Sequence, residues 1–245
     1  MNEANQRTTV CVKKNSRASS GIEQEVNMKG RRDFLKTGIA FLAGVGMLFD
    51  PLFSAARWAY AKARKIILPK GTKIETLISK NPKTLDARNL DVTDLKDFET
   101  MGLSDHVVTV ADWRLEVTGR VKNVLSLSYS DLLALPSRER KVLLICPGFF
   151  AIHGRWKGLS MKVLLDKAGV DGGTGRVIFS GPKGSNRKVE SFPVQDVTSE
   201  KVFLAYEVNG QPLPRKHGFP LRVVAEDYYG SNWVKYVDRL TVERG

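Results

Sequence analysis

Hydrophobic and polar positions alternate at several places in the second half of the chain. In "WRLEVTGRV", Trp113, Leu115 and Val117 alternate with Arg114, Glu116 and Thr118, the period of two that a half-buried strand requires. In "SYSDLLALP" the pattern changes. Ser128 stands as an N-cap with Asp131 three residues on, Leu132, Leu133 and Leu135 follow, and Pro136 ends the run, which predicts a short capped helix. The apolar run "KVLLIC" predicts a short central strand with Cys146 at its exit. "GLSMKVLLDKAGV" predicts a second short helix between Ser160 as cap and Gly169 as stop. Beyond it, "RVIFSG", "KVESFPV" and "KVFLAYEV" are β-rich, and the last runs into Asn209 and Gly210, a reversal signal. "FPLRVVAED" and "VKYVDRLTVE" complete the set. Short helices, many strands and no regular βαβ alternation predict an α+β domain dominated by mixed sheet.

The first half is organised differently. Residues 1–28 are polar and without periodicity. "GRRDFLKTGIAFLAGVGMLF" follows, with Arg31 and Arg32, then Phe34, Leu35 and Lys36, then an uncharged stretch over residues 37–49. Together with "AYA" ending at Ala61, this is the layout of a twin-arginine export signal. It predicts recognition by the twin-arginine translocase, a periplasmic destination and a leader over residues 1–61. An uncleaved membrane anchor is the other reading, but the uncharged stretch is short of the roughly 20 residues that a spanning helix needs. Residues 62–105 are polar and mixed, with short helices expected near residues 74–79 and 93–100, and form an arm on a main domain of residues 106–245.

Charge changes the picture little. A net charge of +13 would suit nucleic acid, an anionic membrane surface or an acidic partner. The cations are scattered and no zinc-finger, RRM or basic-zipper pattern accompanies them, so no nucleic-acid partner is expected. Cysteine changes it more. The chain has 2 cysteines, and only Cys146 lies beyond the leader. In an oxidising compartment such a thiol is buried and inert, paired between chains, or held by something else. No cysteine pattern for haem attachment or for an iron–sulfur cluster is present.

Three segments in order, "CPGFFAIHGRWKGLSMKVLLDKAG", "LAYEVNGQPLPRKHGFPLRVV" and "YYGSNWVKYVDRLTV", resemble the molybdopterin-binding domain of the sulfite oxidase family. That family includes sulfite oxidases, plant-type nitrate reductases and the catalytic subunit of bacterial periplasmic methionine sulfoxide reductase. The likeness spans about residues 105–245 and implies the β-rich, mixed-sheet fold of that domain. It also implies one molybdopterin without attached nucleotide, carrying molybdenum, with the Cys146 thiolate completing the metal's ligation. A thiolate is a soft ligand suited to a redox metal, and coordination would deprotonate it. Pro147 and Gly148 would fix the chain direction there and allow close approach to a bulky group. The alternative is a small buried hydrophobe, the common state of a free cysteine.

By the same resemblance, His217, Arg222 and the Trp233, Val234 and Lys235 segment fall where the family binds the pterin phosphate, and Ser180 and Gly181 lie near another pterin contact. Arg222 offers a planar fork suited to phosphate. The competing readings are a surface histidine in a Pro-rich loop and an arginine on the solvated side of a strand. On the substrate side, Arg155 and Tyr228, with His153 and Tyr229 nearby in sequence, could hold an oxo-bearing substrate and shuttle protons; equally, the tyrosines could pack their loop. The chain departs from the sulfite oxidases in "CPGFFAIHG" and in Ala225, Glu226 and Asp227, which argues against sulfite as substrate.

The resulting expectation is an exported molybdenum oxidoreductase performing two-electron chemistry on a small molecule, oxygen-atom transfer being the leading form. Its electron partner would be a separate cytochrome or a quinone-linked membrane subunit. Two alternatives are a non-catalytic exported binding module on the same fold, and a thiol enzyme with Cys146 as nucleophile and His153 as base.

Overall fold

The computed structural model describes residues 65–171, 173–184 and 187–244. The export signal expected in residues 1–61, and Cys11 with it, lies outside them. The strands in chain order are β1 (Ile66–Ile67), β2 (Leu85–Asp86), β3 (Arg114–Gly119), β4 (Leu125–Ser128), β5 (Ser137–Cys146) and β6 (Phe150–Leu159). They continue with β7 (Thr174–Ser180), β8 (Val189–Pro193), β9 (Val202–Val208), β10 (Gln211–Pro212), β11 (Arg222–Ala225) and β12 (Arg239–Arg244). Three short helices, α1 (Tyr129–Ala134), α2 (Met161–Ala168) and α3 (Val194–Thr198), lie between them.

The strands form the mixed, β-rich arrangement that the alternation predicts. One sheet runs β4-β3-β12-β7-β8, with β3 and β12 parallel and the other neighbours antiparallel. A second runs β10-β9-β6-β5, with β11 also on β9, and β1 and β2 pair in parallel as a small third sheet. Leu115 and Val117 of β3 are fully buried while Arg114 is exposed, as a period of two dictates. The capping box of α1 is formed between Ser128 and Asp131. Asn209 and Gly210 both take positive φ, 53° and 80°, the signature of a two-residue type I′ turn.

Four expectations are corrected. β5 is ten residues long rather than a short apolar run, and it lies at the end of its sheet rather than at the centre. Backbone pairing with β6 carries it through the polar residues Ser137, Arg138 and Glu139, because ladder bonds do not depend on side-chain polarity. The helices expected near residues 74–79 and 93–100 are single 3-10 turns, Ile74–Leu77 and Leu95–Asp97; segments this short make too few hydrogen bonds to offset helix nucleation. The Ser160 hydroxyl does not cap α2 but donates to Glu200 Oε1 at 2.7 Å. The strand expected from "VKYVDRLTVE" begins only at Arg239, because Tyr236 takes φ 57°.

The β5–β6 hairpin positions the site. Its paired residues Leu144 and Ile152, like Cys146 and Phe150, point to one side, while Leu143, Ile145 and Ala151 point to the other. On that second side they pack against Leu68, Leu77, Leu85 and Leu90 of the arm. β6 also runs very close to β9 at a register shift next to Gly158. A Cβ there would lie 1.9 Å from the Leu204 carbonyl oxygen, so no residue but glycine fits. Among the described residues, no helix is long and apolar enough to cross a membrane.

Candidate functional site

The first side of the β5–β6 hairpin forms part of a cleft of about 1000 Å³, together with residues 98–105, the start of the loop after β7, and residues 230–236. Cys146 lies on this lining, half-buried at the end of β5. Phe149 N–H donates back to the Cys146 carbonyl at 3.0 Å and Gly148 takes φ 79°, so the Pro147–Gly148 turn reverses the chain directly beneath the thiol. Burial pushes the thiol pKa up, and its sulfur neighbour is Met101 Sδ at 3.3 Å. A thiol in that setting stays protonated at neutral pH unless a metal takes it.

Another part of the lining is cationic, with Arg222 buried and Lys235 half-buried. Arg222 opens β11 with 6% of its surface exposed. Its guanidinium lies over the indoles of Trp156 and Trp233, 5.0 and 5.2 Å from their centroids. One terminal N–H donates to the His217 carbonyl at 3.1 Å, and Nε has no partner. Burial pulls its pKa down to about 9. His217 is 1% exposed, with its Nε2 also unpartnered. Burial first, then the cations of Arg222, Lys216 and Lys235, bring its pKa to about 4. Lys235 donates to Thr100 Oγ1 at 2.9 Å and to the Lys216 carbonyl at 3.2 Å, and burial, then Arg222, bring its pKa to about 8. A Cβ at Gly218 (φ 107°) would stand 2.9 Å from Lys235 Cβ, so glycine lets the two chain segments close on each other.

No carboxylate among the described residues forms an ion pair with Arg222, His217 or Lys235. Desolvated cations without an acid, here Arg222 and Lys235, are costly; an anion in the cleft would relieve that cost while giving Arg222 Nε and the neutral His217 imidazole, whose Nε2 is unpartnered, a partner. The donor set therefore fits a phosphate at one end of the cleft, and the soft sulfur of Cys146 fits a redox metal at another point of its lining.

Not every residue singled out from the sequence reaches this cleft. Trp233 does line it, packing on Arg222 and donating Nε1–H to the Ala225 carbonyl at 3.1 Å. Val234 is fully buried, its carbonyl accepting from Val223 N–H at 2.8 Å. Ser180 is buried at the end of β7 and its carbonyl accepts from Asp238 N–H at 3.1 Å, but it is Gly181 and Pro182 that line the cleft. Arg155 falls on the arm side of β6, exposed, with Nε 3.8 Å from Glu139 Oε1. His153 shares that side, fully buried, its Nδ1 3.1 Å from the Asp91 carbonyl oxygen, so it cannot serve Cys146 as a base. Tyr228 is outside as well. Its hydroxyl donates to Asp196 Oδ2 at 2.5 Å and its ring meets Phe192 edge-on at 5.0 Å; burial and the neighbouring acid push its pKa up. It packs its loop, as does Tyr229 against the arm-side cluster. The sequence reading missed Thr100, Met101, Arg187, Lys188 and Tyr236, all of which line the cleft.

The lowered pKa of His217 has a measurable consequence. Below the ordinary histidine value of 6.5 the unfolded chain takes up a proton that the folded, ligand-free chain refuses until about pH 4. Stability is therefore present above pH 6.5 and is lost as pH falls towards 4, with a slope of up to about 1.4 kcal/mol per pH unit from this one group. Urea unfolding of ligand-free protein between pH 4 and 7 should show that fall, and His217→Gln should make it shallower.

Residues 102–245, more than half of the chain, match the family described as the oxidoreductase molybdopterin binding domain. The oxidoreductase YuiH of Bacillus subtilis (strain 168) is 34% identical over 127 residues, which cover 50% of this chain and 63% of that protein. Mitochondrial sulfite oxidase of Mus musculus is 35% identical over 159 residues, 54% of this chain and 29% of the oxidase. NADH nitrate reductase 1 of Arabidopsis thaliana is 28% identical over 162 residues, 54% of this chain and 18% of the reductase. The chain thus spans less than two thirds of the length of these curated relatives. Among solved structures, the sulfane dehydrogenase SoxCD from Paracoccus pantotrophus superposes with a TM-score of 0.52 at 28% identity, covering 56% of this chain and 39% of that one. With the mixed-sheet fold, the cysteine at a strand exit and the buried Arg222 lining the same cleft, these matches establish that the chain belongs to the family of oxidoreductases built on the molybdopterin binding domain.

Proposed function

We propose that this protein is an exported catalytic subunit that carries out two-electron chemistry on a small molecule, with the phosphate of molybdopterin against Arg222, His217 and Lys235 and with Cys146 as the protein ligand to molybdenum. The observation that carries this reading is Arg222, buried against two indoles with a free Nε and no ion-paired acid among the described residues. When bound, the molybdenum group supplies redox and oxygen-atom transfer chemistry, which no side chain of the cleft can supply.

The chain's own residues bind, orient and shield. Arg222 and Lys235 neutralise the phosphate, and the indoles of Trp156 and Trp233 pack against the guanidinium and limit its movement. Met101, Phe150 and Ile152 give the lining near Cys146 an apolar surface that limits water there. With Arg155 outside the cleft and Lys188 held by Glu190 Oε1 at 2.7 Å, Arg187 on its lining is the cation offered to a negatively charged substrate. Electrons pass to or from a separate partner, a cytochrome or a quinone-linked membrane subunit. Export by the twin-arginine route rests on Arg31, Arg32 and the uncharged stretch after them.

The deciding experiment counts molybdenum per chain in protein purified from a molybdenum-sufficient host after twin-arginine export. Near one atom per chain is expected. A folded, exported protein without molybdenum, from a host that makes the pterin, would overturn the enzyme reading and leave a binding module.

A further inference from the structure

We propose that Tyr236 is a third donor to the anion in the cleft, through a phenol proton that the protein itself leaves unused. The inference rests on the reading of the Arg222 wall as a phosphate site. It adds a residue that neither the lone cysteine nor the cation cluster points to.

The sequence "WVKYVDRL" gives no hint of it, since tyrosine there has the look of one more strand residue. The chain instead breaks at Tyr236 into the left-handed region, φ 57°, where a bulky side chain is strained and persists only under constraint from its surroundings. Those constraints are visible. Tyr236 N–H donates to the Gly218 carbonyl at 3.3 Å, and Val237 N–H donates to the Leu221 carbonyl at 2.8 Å. The residue is thereby pinned between the His217 turn and the start of β11.

Its side chain is 1% exposed, lines the cleft, and carries a hydroxyl with no hydrogen-bond partner. The ring of His106 meets the phenol edge-on at 5.2 Å. A phenol without a hydrogen-bond partner has its own proton to give. Burial, then the nearby Asp105 carboxylate, push the phenol pKa up, so the proton stays on at neutral pH. Tyr236 OH, Arg222 Nε and His217 Nε2 are thus three buried polar atoms without partners around one cleft. Native proteins rarely leave such groups unsatisfied. A tetrahedral phosphate, with several oxygens to accept, satisfies donors arriving from different directions.

The test uses the full chain, with and without its cofactor, and Tyr236→Phe, which removes only the hydroxyl. In cofactor-free protein the probe is inorganic phosphate, titrated by calorimetry, with the melting temperature recorded without phosphate. In loaded protein the readout is molybdenum per chain after dialysis. The expected result is phosphate binding roughly fivefold weaker in Tyr236→Phe, lower molybdenum retention, and a cofactor-free melting temperature equal to or above that of the unaltered chain. Unchanged phosphate affinity and molybdenum content in the variant, with the unaltered chain normally loaded, would overturn the role of Tyr236 and leave the phosphate site standing. A lower melting temperature in the cofactor-free variant would make Tyr236 a packing residue and overturn the proposal too. If the unaltered chain holds neither phosphate nor molybdenum, both readings fall together.

Discussion

Arg222→Met is expected to yield a folded protein that retains less than about a tenth of the molybdenum of the unaltered chain, the loss that follows when one charge-assisted hydrogen bond to a phosphate is removed. The guanidinium is almost fully buried, lies over Trp156 and Trp233, and has no acid to pair with. Without ligand it is a destabilising element, because its charge is desolvated and uncompensated. Methionine has a similar length and a polarisable sulfur that packs on aromatic rings. Ligand-free stability should therefore stay level or rise by about 1 kcal/mol while loading collapses. Metal analysis and thermal unfolding on the same samples separate the two effects. Full molybdenum content in the variant would show that the anion sits elsewhere.

Cys146→Ser is expected to abolish metal-dependent turnover by more than about a hundredfold, beyond the loss that outer partners of a metal site bring when they alone are removed. Serine is a harder and much weaker ligand for a redox metal than a thiolate. The half-buried position at the end of β5 accepts serine without steric conflict, so the melting temperature of ligand-free protein should hardly move. The checks are metal per chain, turnover with an artificial electron acceptor, and thermal unfolding. Retention of metal and turnover would remove Cys146 from the ligand set. Loss of an alkylatable thiol as the sole change would reduce it to a packing residue.

Much of this was legible in the sequence because the relevant forces are local. Period-two alternation over residues 113–118 and the Ser128–Asp131 box each encode their own element. The cysteine at a strand exit was likewise visible. The facing of β5 and β6 was not, since "LLIC" and "FFAI" are apolar on both sides and carry no alternation; Arg155 and His153 were therefore assigned to the site by proximity in sequence. The wall containing Met101 was hidden for another reason. It lies 45 residues before Cys146, in a polar segment whose contact is fixed only when the whole fold closes. Arg222 was ambiguous, and its burial became decided only when β11 joined β9 with two indoles beneath it.

The two-sided β5–β6 hairpin restricts how this protein can vary in length. Its ten paired positions commit alternate side chains to the cleft and to the arm. Adding or deleting a single residue within either strand would exchange those commitments for everything beyond the change, turning Cys146 or Phe150 towards Leu77 and Leu85 and bringing Ile145 or Ala151 into the cofactor cleft. Descendants of this chain are free to lengthen the loops around the hairpin, whereas the hairpin itself can change only in steps of two or through a bulge that restores the count.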